Sequence, residues 1–235
     1  PLAGAADGGY GEGPALPAMS RISQAELARI KAFEEAKPSV VHVLGEAHGG
    51  GGSGGAQGEE SLGASCGGTG WVFDNEGHVV TSAGAVEASR HGSLRVRFAD
   101  QTVAPARVIG VDRASDLAVL EVQRGAMRHH VPRGVATPRA LKRGSSSSLR
   151  IGQDVYVVGN PFGLDHTLAR GMVSSLGRTV VLDSRSPMHG LVETDARVHA
   201  GNAGGPLLDS RGRVVGMATA VGSVSDALTA PPSAA

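Results

Sequence analysis

The chain has 235 residues, enough for a domain with a substantial core, and its 22 basic and 22 acidic side chains leave no formal net charge. A balanced charge excludes a general attraction to nucleic acid or to acidic membranes, so we expect no nucleic-acid partner. With 36 glycines and 3% aromatic residues, the composition favours short strands and turns over a helical bundle.

Three further features narrow the class of protein. Cys66 is the single cysteine, which excludes an intramolecular disulfide, and we interpret it as a structural side chain. No apolar run approaches the roughly 18 residues that span a bilayer, so we expect no transmembrane segment. The chain begins at Pro1 rather than Met, which we interpret as a processed form or a fragment.

The N-terminal part predicts a tail followed by a helix. Residues 1–22 are rich in Gly, Ala and Pro and predict a disordered tail. Ser23 and Glu26 have the spacing of a capping box, which predicts a helix over 23–37. One face of this helix carries the apolar side chains Leu27, Ile30 and Phe33. Pro38 ends it, because the residue before proline avoids helical angles.

The rest of the chain predicts two groups of strands. SVVHVLG (39–45) is the first strand, followed by a Gly/Ser/Glu loop over 48–68. GWVFDNEGHVVTS (70–82) is typical of a hairpin. Further predicted strands are LRVRFAD, ARVIGVD and LAVLEV in the first half, and DVYVVGN, ARGMVSSL, LVETDA, GGPLLDS and RVVGMATA in the second.

Turn signals at intervals of about 8–12 residues predict barrels or sandwiches, and the two similar halves predict two barrels. The first barrel would occupy 38–123 and the second 149–230. A basic, proline- and serine-bearing linker over 124–148 would join them, and 231–235 would form a tail.

The chain resembles the HtrA/Deg serine proteases, and their plant and algal organelle branch most of all. The segments that carry the resemblance are GTGWVFDNEGHVVTSAGAV (68–86), VIGVDRASDLAVLEV (108–122), LRIGQDVYVVGNPFGLDHTLARGMVSSL (149–176) and LVETDARVHAGNAGGPLLDSRGRVVGMATA (191–220). The resemblance implies an all-β, chymotrypsin-like double β-barrel with a short N-terminal helix, and an active site between the barrels.

The family's catalytic triad falls on three positions of this chain. Where the family has Thr-Asn-x-His-Val-Val, this chain has TSAGAV, so the histidine position falls on Gly84. The acid falls on Asp116 and is retained, whereas the nucleophile falls on Ala203 in GNAGGPLLDS. The order along the chain is that of chymotrypsin. The resemblance therefore implies a degenerate triad of which only the acid remains.

Acyl transfer requires a hydroxyl oxygen that attacks and an imidazole that takes its proton. Loss of the nucleophile alone costs roughly 10⁶-fold in turnover, because the triad members act as a unit. We therefore predict a pseudoprotease rather than an enzyme. We expect no substitute base from His78, His91 or His199 and no substitute nucleophile from Ser174 or Ser175. The adjacent His129 and His130 have no acidic or cysteine neighbours, so we expect no metal and no cofactor.

The resemblance also implies a surviving binding apparatus. The amides of Gly201 and Ala203 would form an oxyanion hole, since amides do not depend on the side chain. MATAV (217–221) aligns with the strand that pairs with substrate, so Thr219, Ala220 and Val221 would line a groove for extended or unfolded polypeptides. In the alternative interpretation, the glycine-rich loop serves only the barrel turn.

Two departures from the family concern the end of the chain. No PDZ domain follows the protease-like region. Family members continue with a further strand of the Gly-Ile-Gly-Phe-Ala-Ile type, whereas GSVSDALTAPPSAA offers no such strand. We therefore expect an incomplete second barrel with an unpaired edge, or a truncated chain.

The leading hypothesis is an inactive HtrA/Deg homologue in protein quality control. It would bind polypeptides or join trimer-based homo- or hetero-oligomers with active relatives. The resemblance implies a chloroplast location, in the lumen or stroma, with the mitochondrion as the alternative. Two other hypotheses stay open. One is an active endopeptidase whose Ser and His positions were engineered to Ala203 and Gly84, and the other is a non-functional gene fragment.

Overall fold

The computed structural model of the chain describes residues 22–46, 65–87, 93–122, 139–163, 165–181, 187–219 and 227–230. These residues form two closed six-stranded antiparallel barrels, preceded by a helix. The predicted all-β double barrel is therefore confirmed. Residues 1–21 and 231–235 of the predicted tails, residues 48–64 of the predicted loop and the 124–138 part of the linker lie outside the described residues. The loop prediction was wrong over 65–68, which form the start of a strand paired with its neighbour along the barrel. No described helix is long and apolar enough to cross a membrane.

The first barrel has the strand order β1-β2-β3-β6-β5-β4. Its strands are β1 Val40–Glu46, β2 Ser65–Val72, β3 His78–Ser82, β4 Leu94–Arg97, β5 Val103–Asp112 and β6 Leu117–Val122. The predicted hairpin is confirmed: Gly70 pairs with Thr81, and the Phe73 N–H donates to the His78 carbonyl at 2.9 Å. A short helix that the sequence did not predict, α2 (Ala83–Glu87), follows β3 directly.

The second barrel has the order β10-β11-β12-β9-β8-β7. Its strands are β7 Asp154–Gly159, β8 Thr167–Val180, β9 Met188–Thr194, β10 Pro206–Asp209, β11 Val214–Thr219 and β12 Ala227–Ala230. The expectation that the chain end offers no strand was wrong. β12 pairs with β11 on one side and with β9 on the other, so the ring closes and the expected unpaired edge is absent from it.

The N-terminal helix α1 spans Gln24–Ala36, and its capping box is confirmed. The Glu26 N–H donates to Ser23 Oγ at 3.2 Å, and the Ser23 N–H donates to Glu26 Oε2 at 2.7 Å. The predicted apolar face was only partly right. Ala32 and Ala36 are the buried residues of the helix, whereas Ile30 is 46% exposed. Small side chains are needed because Ala32 lies against the turn at Gly212.

Three apolar clusters form the core, one inside each barrel and one between them. The cluster between the barrels joins Trp71 and Val80 of the first barrel to Tyr156 and Met217 of the second, and Ala36 of α1 packs against the same cluster. Trp71 is 1% exposed. Burial of this much apolar surface at the junction holds the two barrels in fixed register, which positions the loops that meet above it.

Candidate functional site

Asp116 is the centre of the site and is held by three groups around it. Its main-chain carbonyl accepts the Ala83 N–H at 3.0 Å, and its Oδ1 accepts the Gly84 N–H at 3.2 Å. Its Oδ2 accepts the hydroxyl of Thr219 at the end of β11. The carboxylate is therefore fixed between α2 of the first barrel and a strand of the second.

The backbone of Asp116 is unusual, because its φ is +53°. The left-handed region is costly for most side chains, although Asp and Asn enter it more readily than others. Asp116 is also only 8% exposed. A strained and buried position with both carboxylate oxygens bonded indicates an oriented group rather than a surface acid.

The turn that carries Ala203 lies against the same end of the first barrel. Its first residues, Ala200–Asn202, form one 3₁₀ turn. The Ala203 carbonyl accepts the Thr69 N–H at 2.9 Å, and the Gly204 N–H donates to the Ala218 carbonyl at 2.7 Å. The turn is thus pinned to β2 of the first barrel and to β11 of the second.

The segments that carry Gly84 and Ala203 both lie against the β2–β3 hairpin. A Cβ on Gly204 would lie 2.7 Å from the backbone nitrogen of Ser82 in β3, two residues before Gly84. A Cβ on Gly68 would lie 2.9 Å from the Ala203 carbonyl oxygen and 3.0 Å from the Ala85 methyl group. The structure therefore brings together the three positions that the resemblance assigned to a triad.

The Ala203 amide is not free for an oxyanion. Its N–H donates to the Ala200 carbonyl at 3.3 Å, which closes the 3₁₀ turn. An oxyanion hole requires donors that point at the position of the developing charge. In this conformation the Ala203 N–H points into its own loop, so the hole expected from Gly201 and Ala203 is not assembled through this amide.

Thr69 is a residue of the site that the sequence did not single out, although it lies in the quoted GTGW segment. Its hydroxyl donates to the Gly201 carbonyl at 2.7 Å and accepts the Asn160 N–H at 2.9 Å. It is fully buried. One side chain therefore ties the glycine-rich turn to the loop that follows β7.

The predicted groove residues are only partly described. Thr219 is buried and its hydroxyl is bonded to Asp116. Thr219 therefore orients the Asp116 carboxylate and presents little surface to a ligand. Ala220 and Val221 lie outside the described residues. The groove along the end of β11 therefore stays a prediction.

The histidines considered as substitutes lie in three different settings. The Nδ1 atom of His78 is bonded to Asp74 in the β2–β3 turn. His199 is exposed, and its Nδ1 atom lies 3.3 Å from where a Cβ on Gly201 would stand. His91, His129 and His130 lie outside the described residues. None of the described histidines bonds to Asp116, which is the contact that would orient a base.

The buried His42 and the half-buried His166, both at the barrel junction, were missed by the sequence reasoning. Among the described residues, both ring nitrogens of His42 and both side-chain amide atoms of Asn160 have no hydrogen-bond partner. Burial, and secondarily the charge of Arg97, lowers the pKa of His42 below its ordinary value. The Nε2 atom of His166 lies 2.8 Å from the Val40 carbonyl, and burial lowers its pKa as well. Period-2 alternation could have placed His42 on the face of β1 that carries Val40 and faces the barrel junction, but nothing in the local sequence indicates that its ring nitrogens have no partner.

One group of side chains in the described part of the chain could meet around a metal ion. It consists of Asp74, Glu76 and His78 in the β2–β3 turn. The Asp74 carboxylate already accepts the backbone N–H groups of Glu76 and His78 at 2.8 and 3.1 Å. These bonds are those of an Asx-type turn, which explains the aspartate without a metal.

Two barrels with an oriented aspartate and a glycine-rich turn at their junction define a chymotrypsin-like protein. A model of the trypsin-like peptidase domain matches residues 68–217. The chain belongs to this trypsin-like peptidase family and is homologous to the Deg/HtrA proteases.

Two chloroplast proteases of Arabidopsis thaliana are among the relatives of the chain. The chain is 37% identical over 212 residues to Protease Do-like 1, chloroplastic, of Arabidopsis thaliana, which covers 88% of this chain and 44% of the relative. It is 31% identical to Protease Do-like 5, chloroplastic, of the same plant, with 81% of this chain and 59% of the relative covered. The chain therefore spans about half the length of these relatives or somewhat more.

Solved structures agree with the fold. The crystal structure of Deg5 superposes with a TM-score of 0.70 at 28% identity, covering 91% of this chain and 92% of that one. A serine-to-alanine variant of the HtrA-type protease AlgW, solved with a tripeptide, superposes with a TM-score of 0.67 at 25% identity. It covers 87% of this chain and 60% of that one.

Proposed function

We propose that this chain is a Deg/HtrA homologue without peptidase activity that holds extended polypeptides in the cleft between its barrels. The observation that carries the proposal is the set of groups around Asp116. Its carboxylate is bonded to a backbone amide and to the Thr219 hydroxyl. The two positions beside it that would supply a base and a nucleophile hold Gly84 and Ala203.

The chemistry of acyl transfer leads us to expect no peptidase activity from a site with glycine and alanine at these two positions. Neither a hydrogen atom nor a methyl group can attack a carbonyl or accept a proton. An oxyanion hole and binding alone account for roughly 10³–10⁴-fold over water in related proteases. Here the Ala203 N–H is bonded to the Ala200 carbonyl, so we expect the residual rate enhancement to be lower still.

Polypeptide binding is supported by the fold and by one relative. The related AlgW variant was solved with a tripeptide. An extended peptide can add to an unpaired strand edge through main-chain hydrogen bonds. Because β11 is paired with β10 and with β12, we place the peptide contact at the groove positions Ala220 and Val221, which follow Thr219 in the sequence. Thr219 itself is bonded to Asp116. We also propose a chloroplast location, because the Arabidopsis relatives are chloroplastic, and a role in protein quality control.

The test is a direct assay for an activated serine and for cleavage. The purified protein, a heat-denatured sample of it and an active Deg/HtrA relative are incubated with a fluorophosphonate probe and, separately, with unfolded casein. We expect neither labelling nor cleavage above the heat-denatured sample, while the active relative shows both. Labelling or cleavage by the native protein above the level of its heat-denatured sample would overturn the proposal.

We further propose that the chain assembles with itself or with Deg/HtrA relatives. Support comes from α1, where Ile30 is exposed and Leu27 and Phe33 are only half-buried. The unpaired strand edge no longer supports it, because β12 closes the second barrel.

Light scattering over a hundredfold concentration range, alone and mixed with an active relative, measures this assembly. We expect a mass above that of the monomer, and we expect Ile30→Glu to lower it. The matched exposed substitution Ile151→Glu, on the second barrel at 67% exposure, should leave it unchanged. A monomeric mass at every concentration, unchanged when the active relative is added, would contradict the proposed assembly.

An active endopeptidase with engineered Ala203 and Gly84 is the second candidate. One observation favours it: Asp116 is still oriented by Thr219 and faces Gly84. The double variant argued in the Discussion tests whether the remaining machinery can work.

A further inference from the structure

We propose that the space over Gly84 is a binding site for one cationic side chain, Lys, Arg or protonated His, of the polypeptide held in the cleft. The inference rests on the proposed polypeptide binding and names the chemistry that the site selects. In this site the ligand's own cation lies where a catalytic imidazole would lie in an active relative, and it pairs with Asp116.

The space itself follows from Gly84. This residue is exposed, and among the described residues a Cβ added to it would have one neighbouring atom within 4 Å, Asp116 Oδ1 at 3.9 Å. The open volume over Gly84 therefore has a carboxylate oxygen at its inner end. A side chain that enters this space from the cleft would therefore have its end near that oxygen.

The carboxylate has only neutral partners. Oδ1 accepts one bond from the Gly84 N–H and Oδ2 accepts one from the Thr219 hydroxyl. A carboxylate has about four acceptor sites, so capacity remains on Oδ1 toward the open side. Within the described part of the chain, no ion pair includes Asp116.

The burial of Asp116 favours a cationic ligand side chain over a neutral or acidic one. Asp116 is 8% exposed, and at such a site the effective dielectric constant is well below that of water. A buried charge without a counter-charge is costly, and a cation that also donates a hydrogen bond offsets that cost. A neutral side chain of equal length offers no such gain, and an acidic one is repelled.

The geometry of an extended ligand limits the preference to one position. Successive side chains of a strand point to opposite faces, and neighbours on one face are about 6–7 Å apart. Only one residue of a bound strand can therefore reach Asp116 over Gly84. The proposal predicts a preference for a basic residue at a single register position, not for a generally basic peptide.

The experiment measures the affinity of fluorescent decapeptides by polarisation. Each peptide has a neutral Ala/Ser/Val sequence with one guest residue, and the guest is lysine, norleucine or glutamate at each position in turn. We expect lysine at one position to bind about tenfold tighter than norleucine there, as for a charge-assisted hydrogen bond. Glutamate at that position should bind more weakly than norleucine.

Three variants locate the preference. Gly84→His fills the space and Asp116→Asn removes the charge while keeping an acceptor for Thr219, so both should abolish the lysine preference. Gly110→His is the matched control, because Gly110 is exposed with nothing within 4 Å of an added Cβ and no positive φ. It should retain the preference. Cooperative melting of each variant checks folding, and Gly84→His carries the test if Asp116→Asn does not fold.

The outcomes separate this inference from the proposed function. Binding of all peptides with equal affinity for lysine and norleucine would overturn the cation site and leave polypeptide binding intact. A lysine preference that persists in Gly84→His and Asp116→Asn would also overturn it, since the cation would then pair elsewhere. Absence of binding by every peptide would overturn both proposals together.

Discussion

The double variant Gly84→His/Ala203→Ser is expected to cleave unfolded casein, whereas Ala203→Ser alone is expected to remain inactive. The single variant supplies a hydroxyl but no base that bonds to Asp116. General-base assistance contributes typically 10²–10⁴-fold. We therefore expect the double variant to exceed the single one by about 10²-fold or more.

The structure favours a productive ring at position 84. Within the described part of the chain, the one atom within 4 Å of an added Cβ is Asp116 Oδ1, at 3.9 Å, which leaves room for a side chain there. Asp116 is already oriented by Thr219, and in such triads the aspartate holds the imidazole in the correct tautomer. Recovery will be incomplete, because the Ala203 N–H must first leave the Ala200 carbonyl. Loss of one oxyanion donor costs about 10²–10³-fold.

The matched control is Gly110→His/Ala203→Ser, which adds the same two side chains but places the imidazole on β5 at an exposed glycine. Fluorophosphonate labelling and casein cleavage are measured for all variants, with melting curves to compare folding. Turnover in Ala203→Ser alone would mean that another group, with His199 the nearest described histidine to the turn, acts as base. Absence of labelling and cleavage in the double variant would show that the loop conformation, and not only the missing side chains, prevents catalysis.

Much of the fold could be predicted because local signals agree with the tertiary structure. The β2–β3 hairpin combines two apolar runs with an intervening turn, and the capping box at Ser23 fixes the start of α1. The apolar face of α1 was harder to predict. Ala32 is buried against the turn at Gly212, which leaves room for a small side chain only, and Ala36 is buried against the apolar cluster between the barrels, whereas Ile30 is exposed. Helical periodicity ranks residues by hydrophobicity and contains no information about how closely a neighbour approaches.

The closing strand could not be predicted for a related reason. β12 is only four residues long, Ala227–Ala230, and contains two alanines, which are depleted in strands. It forms because β11 and β9 each present an edge whose backbone groups need partners. The same limit applies to the site. Sequence matching gave the positions Gly84, Asp116 and Ala203, but the bond from the Ala203 N–H to Ala200 depends on loop conformation.

The second large effect concerns stability: Gly204→Ala is expected to destabilise the protein by about 3–4 kcal/mol, a large part of the roughly 5–15 kcal/mol that stabilises a typical domain. Gly204 has a φ of +84°, where an L side chain costs about 1–2 kcal/mol. An added Cβ would also lie 2.2 Å from the Thr69 carbonyl oxygen and 2.7 Å from the Ser82 nitrogen. Both are backbone atoms of the first barrel, and overpacking of this kind costs about 1–3 kcal/mol more.

Urea unfolding of Gly204→Ala and of Gly110→Ala measures the difference. Gly110→Ala adds the same methyl group where nothing lies within 4 Å, so its midpoint should stay close to that of the unmodified protein. Equal midpoints for both variants would show that the turn yields easily. The expected difference has a consequence for function. Gly204 is then required for packing the two barrels together, whatever residue stands at 203, so the glycine-rich form of GNAGGP is evidence for the fold and not for catalysis.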